Sequence, residues 1–544
     1  MKVMKRIIIS ISALLVSAAA MVGQNLDPTV EVSRVYEGKL IEVHKPALEM
    51  AVPDTMYKFD LGFDYWVFDN PYKGSYEFKP YVMDMRPSAL ERTRNTFFLQ
   101  AGAGYTLHPT LDLLWSPVKK GAFSMDVFAD HKSYIGEYRA IGENSAWDGY
   151  DLLSKAGVDF SYDWRKANFD FGASYYGVAD NDFRRKRAYN GVDAYASLRS
   201  KSVWPKNFLY DVDMAYRFAE DSAADKMYEH NFSFDASFGP EFKSSKVLFD
   251  LGVELDVYTG ALAATASRFY IVPHYVYNEG ILSLNLGVRL SAVAASGEAF
   301  SNKNQVVYPD LRMDLALIKD AMKMYAKIGG GERIQTYSSL LDGNHHIDLS
   351  YGMNGAASLL NITVERLSAI LGFEGRVSSV FSYNLRGGYV NYKTSPLDAV
   401  KSVGGQYVPM LGYSPYQKAF AALDWKMIFE WFRFDGAVEY NHSWGIKDVD
   451  MLAPASLEAS AAALYNWNNR IHVGIDCNFA SGRASAAGFK TPWYADLGVY
   501  GEYALNRKLS FWLRGGNLLN MEIQRNPLFA EKGINFTAGI CLNL

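Results

Sequence analysis

The sequence predicts an all-β chain that closes as one large antiparallel transmembrane barrel, and three observations carry that prediction. The first lies at the C-terminus. Ile534, Phe536, Ala538, Ile540, Leu542 and Leu544 are apolar, and polar or small residues separate them. Such period-2 alternation gives a strand one greasy and one wet face. An open apolar strand edge invites aggregation, whereas the last strand of a barrel has its edge paired. The second observation is composition. Tyr 37, Phe 32 and Gly 44 are abundant, and hydrophobic residues reach 49%, yet mean hydropathy is only −0.11. Apolar residues are therefore interleaved with polar ones, and beyond the N-terminus no apolar run is long enough for a helical span. The third is repetition: from Thr96 onward, alternating stretches of about ten residues are separated by turns.

In chain order, residues 1–23 read as a secretory signal peptide. Lys2, Lys5 and Arg6 form its basic start, Ile7 to Val22 its apolar core, and small residues precede Gln24. Residues 24–95 are different in kind. Ten aromatics crowd the stretch from Tyr57 to Tyr81, and Pro53, Pro71, Pro80 and Pro87 interrupt it. This segment is expected inside the barrel or at its periplasmic mouth, with extra barrel strands as the alternative.

Residues 96–544 form the barrel. Phe97, Leu99, Ala101, Ala103 and Tyr105 mark the first strand, and a run ending at Trp164 turns at Arg165-Lys166 into one starting at Phe169. Another hairpin turns at Asn278-Glu279-Gly280. Later strands fall at 367–376, 381–392, 420–428, 432–440, 457–465, 471–479, 495–503, 509–515 and 534–544. The count is about 22, and any even number from about 16 upward fits such barrels. Long connections at 130–155, 179–188, 295–305, 329–366, 393–418, 441–456, 480–494 and 516–533 alternate with short ones, as outer loops and periplasmic turns do. The first hairpin, tight near His108-Pro109, departs from this. A soluble propeller would show a recurring blade motif, and none is visible.

Chemistry-bearing motifs are few. Net charge is −4 with no basic stretch suited to nucleic acid. Cys477 and Cys541 are too few for a disulfide framework and read as barrel-wall residues. His345-His346, near Asp342 and Asp348, sits in the longest outer loop, but adjacent residues on an extended chain point apart and chelate poorly. His442-Ser443 lacks the elbow that a hydrolase would show. No catalytic, metal or cofactor site is expected. Arg184, Arg185, Lys186 and Arg187 form a cationic outer-loop run suited to anions such as lipopolysaccharide phosphates. Asp126, Asp159, Asp170, Asp211, Asp213, Asp235, Asp250, Glu254 and Asp256 face inward, an acidic wall that favours cationic or neutral solutes.

The segment from Trp493 to Leu544 resembles the end of a TonB-dependent receptor barrel. Ala495-Asp496-Leu497-Gly498, Asn506-Arg507-Lys508-Leu509-Ser510 and Gly516-Asn517-Leu518-Leu519-Asn520 carry the likeness, the last containing the N-L-x-N turn common there. Asp27-Pro28-Thr29-Val30-Glu31-Val32-Ser33 is similar to the extended box that engages TonB. The sequence departs from the family by lacking a full plug domain before the first strand, and Leu544 stands where such barrels usually end on an aromatic. The resemblance implies a Gram-negative outer-membrane barrel for solute uptake or ligand binding. The alternative is a plugless scaffold barrel in a multi-protein assembly or export complex. Expected partners are outer-membrane lipids and lipopolysaccharide, the barrel-assembly machinery, and an outer-membrane lipoprotein or other complex subunits.

Overall fold

A computed structural model describes residues 96–544 except 105–106, 121, 140, 142–145, 182–185, 202–207, 223–225, 298–303 and 320. The expected signal peptide (1–23) and aromatic-rich segment (24–95) lie outside the described residues. The strands are β1 (Phe97–Gly104), β2 (Thr110–Lys120), β3 (Phe123–Arg139), β4 (Ala146–Asp163), β5 (Ala167–Asn181), β6 (Lys186–Ser200), β7 (Phe208–Asp221) and β8 (Met227–Pro240). Next come β9 (Ser245–Gly260), β10 (Ala264–Glu279), β11 (Leu282–Gly297), β12 (Asn304–Ile318), β13 (Met322–Ile334), β14 (Ile362–Val377), β15 (Phe381–Val403) and β16 (Gln406–Ile428). The last are β17 (Phe432–Trp444), β18 (Leu457–Trp467), β19 (Ile471–Ala480), β20 (Tyr494–Ala504), β21 (Leu509–Gly516) and β22 (Asn535–Asn543).

All 22 strands belong to one antiparallel sheet, each paired with its sequence neighbour, and β22 pairs back onto β1. The seam runs from Phe98 opposite Asn543 to Gly104 opposite Thr537, and the Thr96 and Phe97 amides donate to the Leu544 carbonyl. No backbone edge is left open, the condition for strands in hydrocarbon. The inner side of the seam needs small residues. Trp512 lies flat across Gly102 and Gly539, where a Cβ would stand 2.4 and 2.7 Å from the indole. His108 lies over Gly104 and shares a hydrogen bond of 2.7 Å with the Thr537 hydroxyl across the seam.

Alternation sets the two faces. On β11, Leu286, Val288 and Leu290 are exposed outward, as are Phe169, Phe171 and Tyr175 on β5 and Phe536 and Ile540 on β22. So much apolar surface outside a closed barrel is a lipid-facing band. Exposed aromatics at one rim, among them Trp164, Phe429, Trp431 and Trp467, form the girdle expected at a membrane interface. The turns at that rim are short. Asn468 and Asn469, both with positive φ (52° and 54°), build one of them.

The longest described connections, 335–361, 445–456, 481–493 and 517–534, all lie at the opposite, outer rim. Two stretches read from sequence as outer loops are instead strand. Much of 130–155 extends β3 and β4, and 393–418 is the outer half of a hairpin whose strands, β15 and β16, are 23 residues each. About ten residues suffice to cross a bilayer. The excess lies beyond the lipid, where no outward apolar face is required and the alternation that marks a strand weakens, although Leu397, Ala399 and Leu411 are buried against loops.

Candidate functional site

The outer half of the barrel interior is shaped by loops that fold inward. In the 335–361 loop, Thr336 caps a short helix, α1 (Tyr337–Gly343), its hydroxyl accepting from the Ser339 amide at 3.1 Å. Tyr337, Leu341, Leu359 and Leu360 are completely buried, packed with Ile347 against Tyr189, Ala219, Met227, Tyr258 and Ala266 of the wall. Fully burying such side chains stabilises each contact by about 1.5–3 kcal/mol.

Polar groups under this loop are matched by the loop and by the wall together. Glu229 is fully buried and accepts from the Tyr189 hydroxyl at 3.0 Å, the Tyr258 hydroxyl at 3.2 Å, and the Ser338 amide and hydroxyl, both at 3.2 Å. Arg187 donates to the His345 carbonyl at 2.8 Å and to the Ile347 carbonyl, and pairs with buried Asp221 at 3.4 Å. The Tyr337 hydroxyl also donates to Asp221. Glu332 accepts from Ser291 at 2.5 Å and Tyr308 at 3.0 Å.

Of the cationic run, Arg184 and Arg185 lie outside the described residues. Lys186 is exposed on β6, whereas Arg187 is 2% exposed and points inward. Its observed partners are internal, so Arg187 clamps a loop rather than lining the outer surface. Period-2 alternation separates Lys186 from Arg187.

The 517–534 loop also turns inward, by different means. Asn517, at φ 45°, donates from its amide to the Met521 carbonyl at 2.8 Å and the Lys532 carbonyl at 2.9 Å, and accepts from the Met521 amide at 3.0 Å. The first Asn of the N-L-x-N turn thus ties the loop's two ends together. Arg525 bonds Asp496 at 2.8 Å and Glu531 at 2.5 Å, with its guanidinium 5.4 Å from the Tyr494 ring centre. The Lys532 ammonium lies 4.7 Å from the Tyr134 ring centre. Burial disfavours both cations. Glu531, Tyr494 and Asp496 more than offset it for Arg525, which is held above its usual range, while Asp151 and Glu531 do not for Lys532, which is held below. Phe529 stacks on His346 of the other loop at 3.9 Å.

Between these loops and the walls of β1–β5 and β15–β22 lies a cavity of about 1350 Å³. Asp112, Asp130, Asp151, Asp342, Glu458 and Asp496 line it, together with Tyr134, Tyr150 and Tyr494. Arg483, also in its lining, bridges to Asp398 at 2.7 Å and to the Ala453 carbonyl at 3.3 Å, knitting the 445–456 and 481–493 loops to the β15–β16 hairpin.

The acidic wall lower in the barrel is largely compensated. Asp159 accepts from Tyr195 at 2.6 Å, Asp211 pairs with Arg199 at 3.0 Å, Glu254 with Arg268 at 2.9 Å, and Asp256 accepts from Asn231 at 2.5 Å. His274 stands 3.3 Å from Asp250, and Asp126 and Asp235 accept from Ser116 and Tyr270. Cross-strand pairing of this kind could not be read without the register. Cys477 and Cys541 are free thiols in the wall. His345 and His346 sit in the inward loop, where His346 meets Phe529 and lies 3.7 Å from Asp180. His442 and Ser443 are strand neighbours on β17, and the His442 ring lies 5.4 Å from that of Trp444.

No protein-family model matches the chain, and no curated protein does. Solved structures do. The copper transporter OprC matches with a TM-score of 0.61 at 10% identity over 82% of this chain and 80% of its own. The FrpB iron transporter of Neisseria meningitidis (F5-1 variant, apoprotein form) gives 0.65 at 9% over 84% and 82%. The siderophore receptor PiuA of Acinetobacter baumannii gives 0.61 at 9% over 82% of each chain. At these identities the likeness is one of fold: a large closed antiparallel β-barrel.

Proposed function

We propose that this chain is an uptake barrel of the Gram-negative outer membrane, which admits a solute from outside through the vestibule bounded by the two inward loops. The observation that carries this is the vestibule itself, a cavity of about 1350 Å³ with charged and aromatic walls, set inside a closed barrel at its outer end. A cavity of that size suits a compact organic solute or a metal complex. The barrel's fold-level likeness to solved transporters of copper and iron and to a siderophore receptor supports the same reading. A scaffold gives no reason for polar side chains to converge on a roofed pocket. The apolar band supports outer-membrane lipids, with lipopolysaccharide in the outer leaflet, as the surrounding partners.

The test is conductance. The purified protein is inserted in planar bilayers, beside a variant in which a short Gly-Ser turn replaces residues 336–360. An uptake barrel conducts weakly with its inward loop and several-fold more without it. Silence from both, with partner proteins co-purifying, would overturn uptake in favour of the scaffold.

A further inference from the structure

The two cations of the 517–534 loop do not rest on generic surface. Each sits in a small cage made by the barrel wall. Tyr134 on β3 and Asp151 on β4 are direct cross-strand partners, and Lys532 lies over the Tyr134 ring. Tyr494 and Asp496 are two apart on β20 and so share a face. Arg525 lies over that tyrosine and bonds that aspartate. An aromatic face beside a carboxylate is a cation-binding arrangement, since ring quadrupole and charge attract the same ligand. All four wall residues line the vestibule, in two groups held on β3–β4 and on β20.

We propose that these cages are binding sites for a solute carrying two separated amine or guanidinium groups, and that Lys532 and Arg525 occupy them as a built-in substitute when no solute is present. The loop is then a strap that the ligand displaces. Calling the ligand a transported substrate rests on the uptake reading above; the competition itself does not.

Three features make the strap displaceable. The Arg525 Nη1 is buried with no hydrogen-bond partner, so the guanidinium fits its cage incompletely. Burial is a net cost to the charge of Lys532. The neck of the loop is tied within itself by Asn517, so its body can swing without unravelling. The loop's apolar anchors are one completely buried side chain, Ile523, and Phe529, which stacks on His346 and packs against the core cluster, whereas the 335–361 loop has four completely buried large side chains.

The experiment uses the full chain in detergent micelles at constant ionic strength, with spermidine as the probe and maltotriose and citrate as neutral and anionic controls. Amide hydrogen exchange is followed in residues 521–533, with 337–347 as the internal reference for an intact fold. Spermidine is expected to speed exchange in 521–533 about tenfold, as mass action on a docked loop requires. The reference and both controls stay unchanged. Calorimetry on the R525Q/K532Q double variant supplies a second readout. With the cages vacated, spermidine binds about tenfold more tightly, and adding Y134A and D496N removes that gain. Exchange that ignores saturating spermidine, or an affinity indifferent to R525Q/K532Q, overturns the proposal. Because no membrane is involved, a silent bilayer with a displaced strap would sink uptake alone.

Discussion

The two sides of the outer barrel hold their loops by opposite means. The 335–361 loop is fastened to β5–β11 by apolar side chains and buried carboxylates. The 517–534 loop buries one large apolar side chain, Ile523, is tied at its neck to itself and to β20, and otherwise reaches β3 and β20 through cations laid over tyrosines. Burying apolar surface and satisfying a desolvated carboxylate are expensive to undo. Ion pairs and cation–π contacts beside a polar cavity are worth far less. With four completely buried large side chains against one, the first loop is the more firmly fixed, and the second is the one the proposal makes yield.

Breaking the fixed side should have the largest effect. Arg187→Ala leaves Asp221 buried without its cation and two loop carbonyls without a donor, at about 3–5 kcal/mol. Amide exchange in 337–347 should accelerate accordingly, and unchanged protection there would refute the clamp. Leu341→Ala removes a completely buried side chain and should weaken the same segment by about 3 kcal/mol. Exchange in 521–533 should hardly respond to it; a matching loss there would show that the two loops open together.

The yielding side should answer to smaller changes. Asn517→Ala removes three neck hydrogen bonds and puts alanine where φ is 45°, costing about 1–2 kcal/mol. Exchange in 521–533 reports it, and a loss confined to 337–347 would contradict the assignment. The smallest effect concerns pH. Docking lowers the Lys532 pKa, so the undocked loop binds more protons between the docked value and the ordinary lysine value near 10.4. Docking therefore strengthens as pH rises through that window and levels off above it. Intrinsic-rate-corrected exchange should show protection of 521–533 growing toward alkaline pH, and Lys532→Met should flatten the curve.

The distinction between the loops was hardly visible in the sequence. Arg187 stood in a run of four cationic residues, and nothing nearby shows that one of them points inward to carbonyls about 160 positions away. Asn517 was legible as part of a motif, but its hydrogen bonds to both ends of the loop were not. Likewise the inward acids of β3–β9 were visible as a period-2 pattern, whereas their arginine, histidine and tyrosine partners depend on register. The strands at 393–418 were missed because outside the lipid they need no outward apolar face.

By itself the sequence determined the barrel. An even strand count of about 22, the direction of each strand, and the pairing of Ile534–Leu544 with the stretch from Phe97 follow from alternation and turn spacing, which are local and recur along the barrel. Only the tertiary structure decided what fills the outer end. The clamp at Arg187, the seat of Glu229 and the two tyrosine–aspartate cages join residues from distant strands, and contacts made across a closed sheet leave no periodic trace in the chain.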